Sequence, residues 1–79
     1  MQMTVRSSSQ CRCRLGVAIR ERRRAIGLSQ ELLAERIDCH RNYVGTIERG
    51  EQNVTFDMLV RFARALDTSL GKIITSTKL

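Results

Sequence analysis

The 79-residue chain has no proline and no tryptophan, one tyrosine, two phenylalanines and a single histidine. Without proline, nothing in the sequence forces a helix to break. With so few aromatics and no convincing run of alternating polar and apolar residues, a strand-built sandwich or barrel lacks its usual material. The one histidine and three cysteines lack the spacing of a zinc site. Cys11-Arg12-Cys13 places two thiols one residue apart with no further ligands at usable spacing, so no metal is expected and these read as surface thiols. Cys39 reads as a small apolar residue. No apolar run approaches the roughly 20 residues that cross a bilayer, and the start carries Arg6, Arg12 and Arg14 with no apolar segment behind them. Neither a membrane span nor a secretory leader is therefore expected, which points to the cytoplasm. Paired catalytic carboxylates, a nucleophile with its base and a glycine-rich phosphate loop are also missing, so the chain is not expected to be an enzyme or to need a cofactor.

Acidic residues are scarce relative to basic ones, 8 against 14, and the imbalance is local. Residues 1–24 hold seven arginines (Arg6, Arg12, Arg14, Arg20, Arg22, Arg23, Arg24) against Glu21 alone, while the rest of the chain balances seven against seven. An arginine-rich start suits a polyanion such as DNA; the plain alternative is a solubilising surface.

Residues 1–13 are polar, include Ser7-Ser8-Ser9 and show no apolar period, which predicts a flexible basic arm ahead of one domain over 14–76. Beyond it the 3.6-residue period predicts five helices. The first carries Leu15, Ala18, Ile19 and Ile26 and stops at Gly27. The second spans Ser29 to Ile37, with Leu32, Leu33, Ala34 and Ile37 inward, and the third spans His40 to Arg49 with Val44 and Ile47 inward. Thr55 caps a fourth through Leu66, with Phe56, Leu59, Val60, Phe62, Ala63 and Leu66 inward, and a short fifth runs from Ser69 to about Ile74. The fold class is all-α, a five-helix bundle. A domain this small buries only about 60% of its unfolded surface, so a second copy is the expected source of added stability.

Only Asp38 and Cys39 stand between the inner faces of helices two and three, so the axes must cross steeply and the third helix projects. That is the layout of a helix-turn-helix. Arg41, Asn42 and Thr46 lie on its outer face and match the donors, acceptors and methyl groups of base edges in a DNA major groove; an ordinary solvated face is the alternative. Ser29 and Gln30 open the second helix as a phosphate clamp, and Arg49, Gln52 and Asn53 flank the end of the third near the opposite strand. Tyr43 suits either backbone contact or packing. Gly45 between the readers suits close approach to DNA or simple drift.

Residue by residue, the stretch from Leu15 to Ile74 resembles the Cro and phage-repressor-like (XRE-type) helix-turn-helix family. The carriers are Ile19 and Arg23; Gly27-Leu28-Ser29-Gln30-Glu31-x-Leu33-Ala34; Tyr43-Val44-x-x-Ile47-Glu48-Arg49-Gly50; and Thr55-x-x-x-Leu59-x-x-x-Ala63-x-Ala65-Leu66. Two positions depart from the pattern: Asp38 stands at a turn that is usually Gly, and His40 at a cap that is usually Ser or Thr. Asp tolerates the left-handed turn and an imidazole can accept a backbone hydrogen bond.

The resemblance implies a lambda-repressor-like DNA-binding domain and an internal ion pair between Arg23 and Glu48. It also implies a homodimer on a partly palindromic double-stranded operator. The Arg49-Gly50-x-x-Asn53-x-Thr55 segment and the short fifth helix are most similar to controller proteins of restriction-modification systems, which regulate their own gene and that of the endonuclease. A phage Cro-like repressor and an antitoxin are the alternatives, the latter disfavoured by the short run after the fifth helix. Leu70, Ile73 and Ile74 are the expected dimer face. Glu31 and Glu35, spaced i, i+4 and expected to point away from DNA, suit contact with RNA polymerase as in activating members, or plain surface charge.

Overall fold

The computed structural model describes residues 7–79. They form α1 (Ser8–Ala25), α2 (Gln30–Arg36), α3 (Arg41–Glu48), α4 (Phe56–Ala65) and α5 (Leu70–Ser76), with no strand among the described residues. Every helix starts on a side chain that accepts a backbone N–H otherwise left open: Ser7, Ser29, His40, Thr55 and Ser69. The turns after α2 and α4 pass through left-handed aspartates, Asp38 at φ 56° and Asp67 at φ 53°.

The start of α1 corrects the sequence expectation. Residues 8–13, taken as part of a flexible arm, are helical. Ser7 Oγ accepts from the Gln10 N–H at 3.2 Å while the Ser7 N–H donates to Gln10 Oε1 at 2.9 Å, a reciprocal cap that organises a helix start without apolar residues. Periodicity registers burial and is blind to such a cap. Residues 1–6, with Arg6, lie outside the described residues.

The core gathers Ile19 from α1, Leu33 and Ile37 from α2 and its end, Val44 and Ile47 from α3, Phe62 and Leu66 from α4 and its end, and Ile73 from α5. Each such side chain contributes about 1.5–3 kcal/mol by leaving water. Gly16 and Gly50 bring α1 against the end of α3. A Cβ on Gly16 would lie 2.5 Å from the Ile47 carbonyl oxygen and closer still to that of Glu48. One on Gly50, itself at φ 73°, would lie 2.7 Å from Cys13 Cα. Backbone contact is what fixes this crossing.

Three expected inward positions turn out otherwise. Leu32 is 48% and Phe56 68% exposed, and Val60 is only half-buried. In the seven-residue α2, Leu33 and Ala34 occupy the inner stripe, and Leu32 falls outside it. Phe56 follows its cap directly and precedes the turn on which α4 meets the body. Ile73, expected on a free dimer face, is 2% exposed and belongs to the monomer core, because α5 lies along α1 and turns that side inward. Its neighbour Ile74 is 44% exposed and Leu70 half-buried.

Candidate nucleic-acid interface

His40 opens α3 with Nδ1 accepting the Asn42 N–H at 3.0 Å, which requires an unprotonated Nδ1. The cap leaves Arg41 and Asn42 exposed on the first turn. Below them the helix is locked to the body by buried charge. Arg23 donates from Nε to Glu48 Oε2 at 2.6 Å and from Nη2 to Oε1 at 3.0 Å, while its Nη1 donates to the Leu28 carbonyl at 2.9 Å. Gln30 Nε2 donates to Glu48 Oε1 at 3.0 Å. The hydrogen bonds that Glu48 accepts raise the pKa of the Arg23 guanidinium above its usual range, against the opposing effect of burial. One carboxylate thus ties together α1, the start of α2 and the end of α3, and so sets the angle at which α3 projects.

Gln30 therefore spends an amide proton on Glu48 instead of standing free as the sequence suggested, though its other N–H and the start of α2 remain beside α3. Ser29 Oγ is occupied as the α2 cap, accepting from the Leu32 N–H at 3.1 Å. Thr46 is half-buried, its hydroxyl 2.8 Å from the Tyr43 carbonyl and 3.0 Å from Gln52 Oε1. A single hydroxyl proton serves one acceptor. With the Gln52 amide turned over, its NH2 donates to Thr46 and both contacts are satisfied.

Tyr43 stacks on Phe62 with ring centroids 6.3 Å apart. Burial raises the pKa of its phenol, with a further contribution from Cys39. No buried side-chain oxygen or nitrogen among the described residues lacks a partner, and the Tyr43 hydroxyl bonds to none of them, so it faces solvent. Packing and backbone contact are thus compatible roles for the two ends of one side chain.

Arg49 lies back over the outer face of α3. Its Nη1 stands 3.1 Å from where a Cβ on Gly45 would be, and its Nε lies 3.1 Å from Glu51 Oε2. A Cβ on Gly45 would meet only the far end of this exposed, flexible side chain, so packing within the chain does not require a glycine there. Asn53 Oδ1 accepts a long 3.3 Å bond from Arg12 Nη1. Glu31 departs from its expected placement: its Oε1 lies 2.8 Å from Arg41 Nε, so it meets α3 instead of pointing away from it, whereas Glu35 is exposed on α2.

The arginine-rich start is also redistributed. Arg22 donates to the Leu66 carbonyl at 2.9 Å and the Asp67 carbonyl at 2.8 Å, and Arg14 to the Thr77 carbonyl at 3.2 Å. Helix ends carry unsatisfied carbonyls and partial negative charge, and these cations answer both. Arg36 does the same for Ala65 at 2.9 Å. The sequence carried no signal for these contacts, since they join residues 29 or more positions apart.

A helix-turn-helix family profile matches residues 19–73. The chain belongs to that family. Control protein C.SmaI of Serratia marcescens is 47% identical over 57 residues, 72% of this helix-turn-helix protein and 68% of the relative. The crystal structure of the restriction-modification controller protein C.AhdI from Aeromonas hydrophila superposes with a TM-score of 0.75 at 41% identity, over 77% of this chain and 92% of that one. The clp gene regulator ClgR from Corynebacterium glutamicum, at 28% identity, reaches a TM-score of 0.84 over 86% of this chain and 72% of its own. Within the helix-turn-helix family the protein thus resembles controller proteins, while its fold is shared more widely.

Proposed function

We propose that this helix-turn-helix protein is a sequence-specific DNA-binding transcriptional regulator, the controller of a restriction-modification system. In this reading it acts in the cytoplasm, by binding alone, on its own gene and that of the endonuclease. The observation that carries the reading is a projecting α3 whose inner end is clamped by the buried Arg23–Glu48–Gln30 group while Arg41 and Asn42 stand exposed at its outer end. Arg41 suits guanine O6 and N7, Asn42 suits adenine N6 and N7, and Thr46 contributes its methyl, since its hydroxyl is engaged. Gln30, with the start of α2 that Ser29 caps, would face one phosphate strand; Arg49, Gln52, Asn53 and the Tyr43 hydroxyl would face the other. The protein binds as a homodimer through the outer side of α5, where Ile74 is exposed and Leu70 half-buried, so that two copies of α3 enter successive major grooves about 34 Å apart. Contact with RNA polymerase falls to Glu35, which is exposed on α2.

The test is a gel-shift titration on the DNA upstream of the protein's own gene. Arg41→Ala should lose about 1–3 kcal/mol there and much less on random duplex. Equal losses on both would remove Arg41 from base reading.

A further inference from the structure

Arg41 is not a free side chain waiting for a base. Its Nε is held at 2.8 Å by Glu31 Oε1 from the first turn of α2, with both side chains more than half exposed. A guanidinium has five N–H groups in a planar fork. The Glu31 carboxylate beside Nε draws the guanidinium toward α2 by charge, while Nη1 and Nη2 hold no hydrogen bond among the described residues and match the two acceptors of a guanine edge. The neighbouring Gln30 cannot take this part with the amide proton it gives to Glu48. The Glu31 carboxylate would otherwise repel DNA phosphates near the start of α2, and pairing with Arg41 cancels that charge. The pair thus adds nothing to general attraction for DNA but restricts the directions in which Arg41 can donate.

We propose that Glu31 is a positioning residue that aims the Arg41 fork and thereby sets base discrimination more than overall affinity. This rests on Arg41 being a base reader, as argued above. Glu51 supplies an internal contrast: it holds Arg49 through Nε in the same manner, but at the far end of α3, where phosphate contact is proposed.

The experiment uses the full chain and a duplex selected by the wild-type protein from a randomised pool, with every single-base-pair variant of that duplex. Glu31→Ala should reduce discrimination at the base pair read by Arg41 by about fivefold, the size of an exposed ion pair. Binding to random duplex should stay level or rise, because a negative charge has been removed. Glu31→Gln, which keeps the shape of the side chain but not its charge, should lose discrimination as Glu31→Ala does. Glu51→Ala should raise binding to all duplexes and leave discrimination unchanged. In an Arg41→Ala background, Glu31→Ala should have no further effect on discrimination. If Arg41→Ala reduces discrimination and Glu31→Ala does not, or if the Glu31 effect persists without Arg41, the positioning role is wrong while base reading stands. If Arg41→Ala itself leaves discrimination intact, the base-reading assignment falls, and the positioning role with it.

Discussion

Arginines from α1 and arginines from α3 are the same residue put to opposite uses. In α1, Arg22 and Arg14 lie across the C-terminal ends of α4 and α5, and Arg23 is buried against Glu48. At the two ends of α3, Arg41 and the C-cap Arg49 stay at the surface, each paired through Nε with one glutamate. The first group closes the fold and the second faces outward. Net positive charge in the N-terminal third is therefore a poor guide to where this protein would meet DNA, because Arg14 and Arg22 are engaged by helix ends and Arg23 by Glu48.

Breaking the buried member of the comparison should have the largest effect. Arg23→Ala leaves Glu48 as an uncompensated buried carboxylate and should cost about 3–5 kcal/mol of stability, a large share of what a domain this size possesses. Urea denaturation is the measurement, and a loss below 1 kcal/mol would mean the pair holds little together. Arg41→Ala, in the outward group, should leave the same curve within about 0.5 kcal/mol.

Adjacent residues on α5 offer the same contrast without charge. Ile73→Ala should destabilise the monomer by about 2–4 kcal/mol, since it empties a fully buried site. Ile74→Asp should barely change monomer stability but shift sedimentation toward monomer and weaken operator binding, because two linked half-sites multiply one another. A variant at Ile74 that remains dimeric at micromolar concentration would move the interface elsewhere.

Arg22→Gln sharpens the comparison further. If its work is to satisfy the Leu66 and Asp67 carbonyls, it should cost about 1–2 kcal/mol of stability and leave the slope of log affinity against log salt unchanged. A phosphate-bound Arg22 would instead make that slope shallower by about 0.9.

The smallest expected effect is alkaline. Burial, with Asp38 adding to it, raises the Cys39 pKa above its ordinary 9.0. The folded state then holds its thiol proton longer than the unfolded state does. Stability is complete below pH 9.0, and it declines as pH climbs toward the folded value. Thermal melts should show a decline of this kind, smaller in Cys39→Ala than in the wild type. An identical alkaline slope in both would exclude Cys39 as its source.

Much of this is legible in the sequence. Helices α2 to α5 announce themselves through apolar spacing and capping residues, and the left-handed turn at Asp38 follows from what an aspartate tolerates. The pairing of Arg23 with Glu48 was implied by resemblance and by helical phase. What escaped was of two kinds. The capping of α1 by Ser7 and Gln10 is local, but it is polar and has no apolar period, so it passed for an arm. The placements of Ile73, Phe56 and Glu31 depend on which face meets a neighbouring helix, and in elements of seven to ten residues several faces are equally plausible until the neighbours are in place.

The sequence by itself determined which segments carry helices, where α2 to α5 start and stop, and that α3 would stand at a steep angle after a short turn, because periodicity, caps and turn residues act within a few positions of one another. Tertiary structure alone decided which arginines serve helix ends and which remain outward. It also decided that Gly16 and Gly50 let α1 touch the backbone at the end of α3, and that Glu31 meets Arg41. Those choices join residues that are distant in the chain, and only the packing of the five helices brings their atoms within reach.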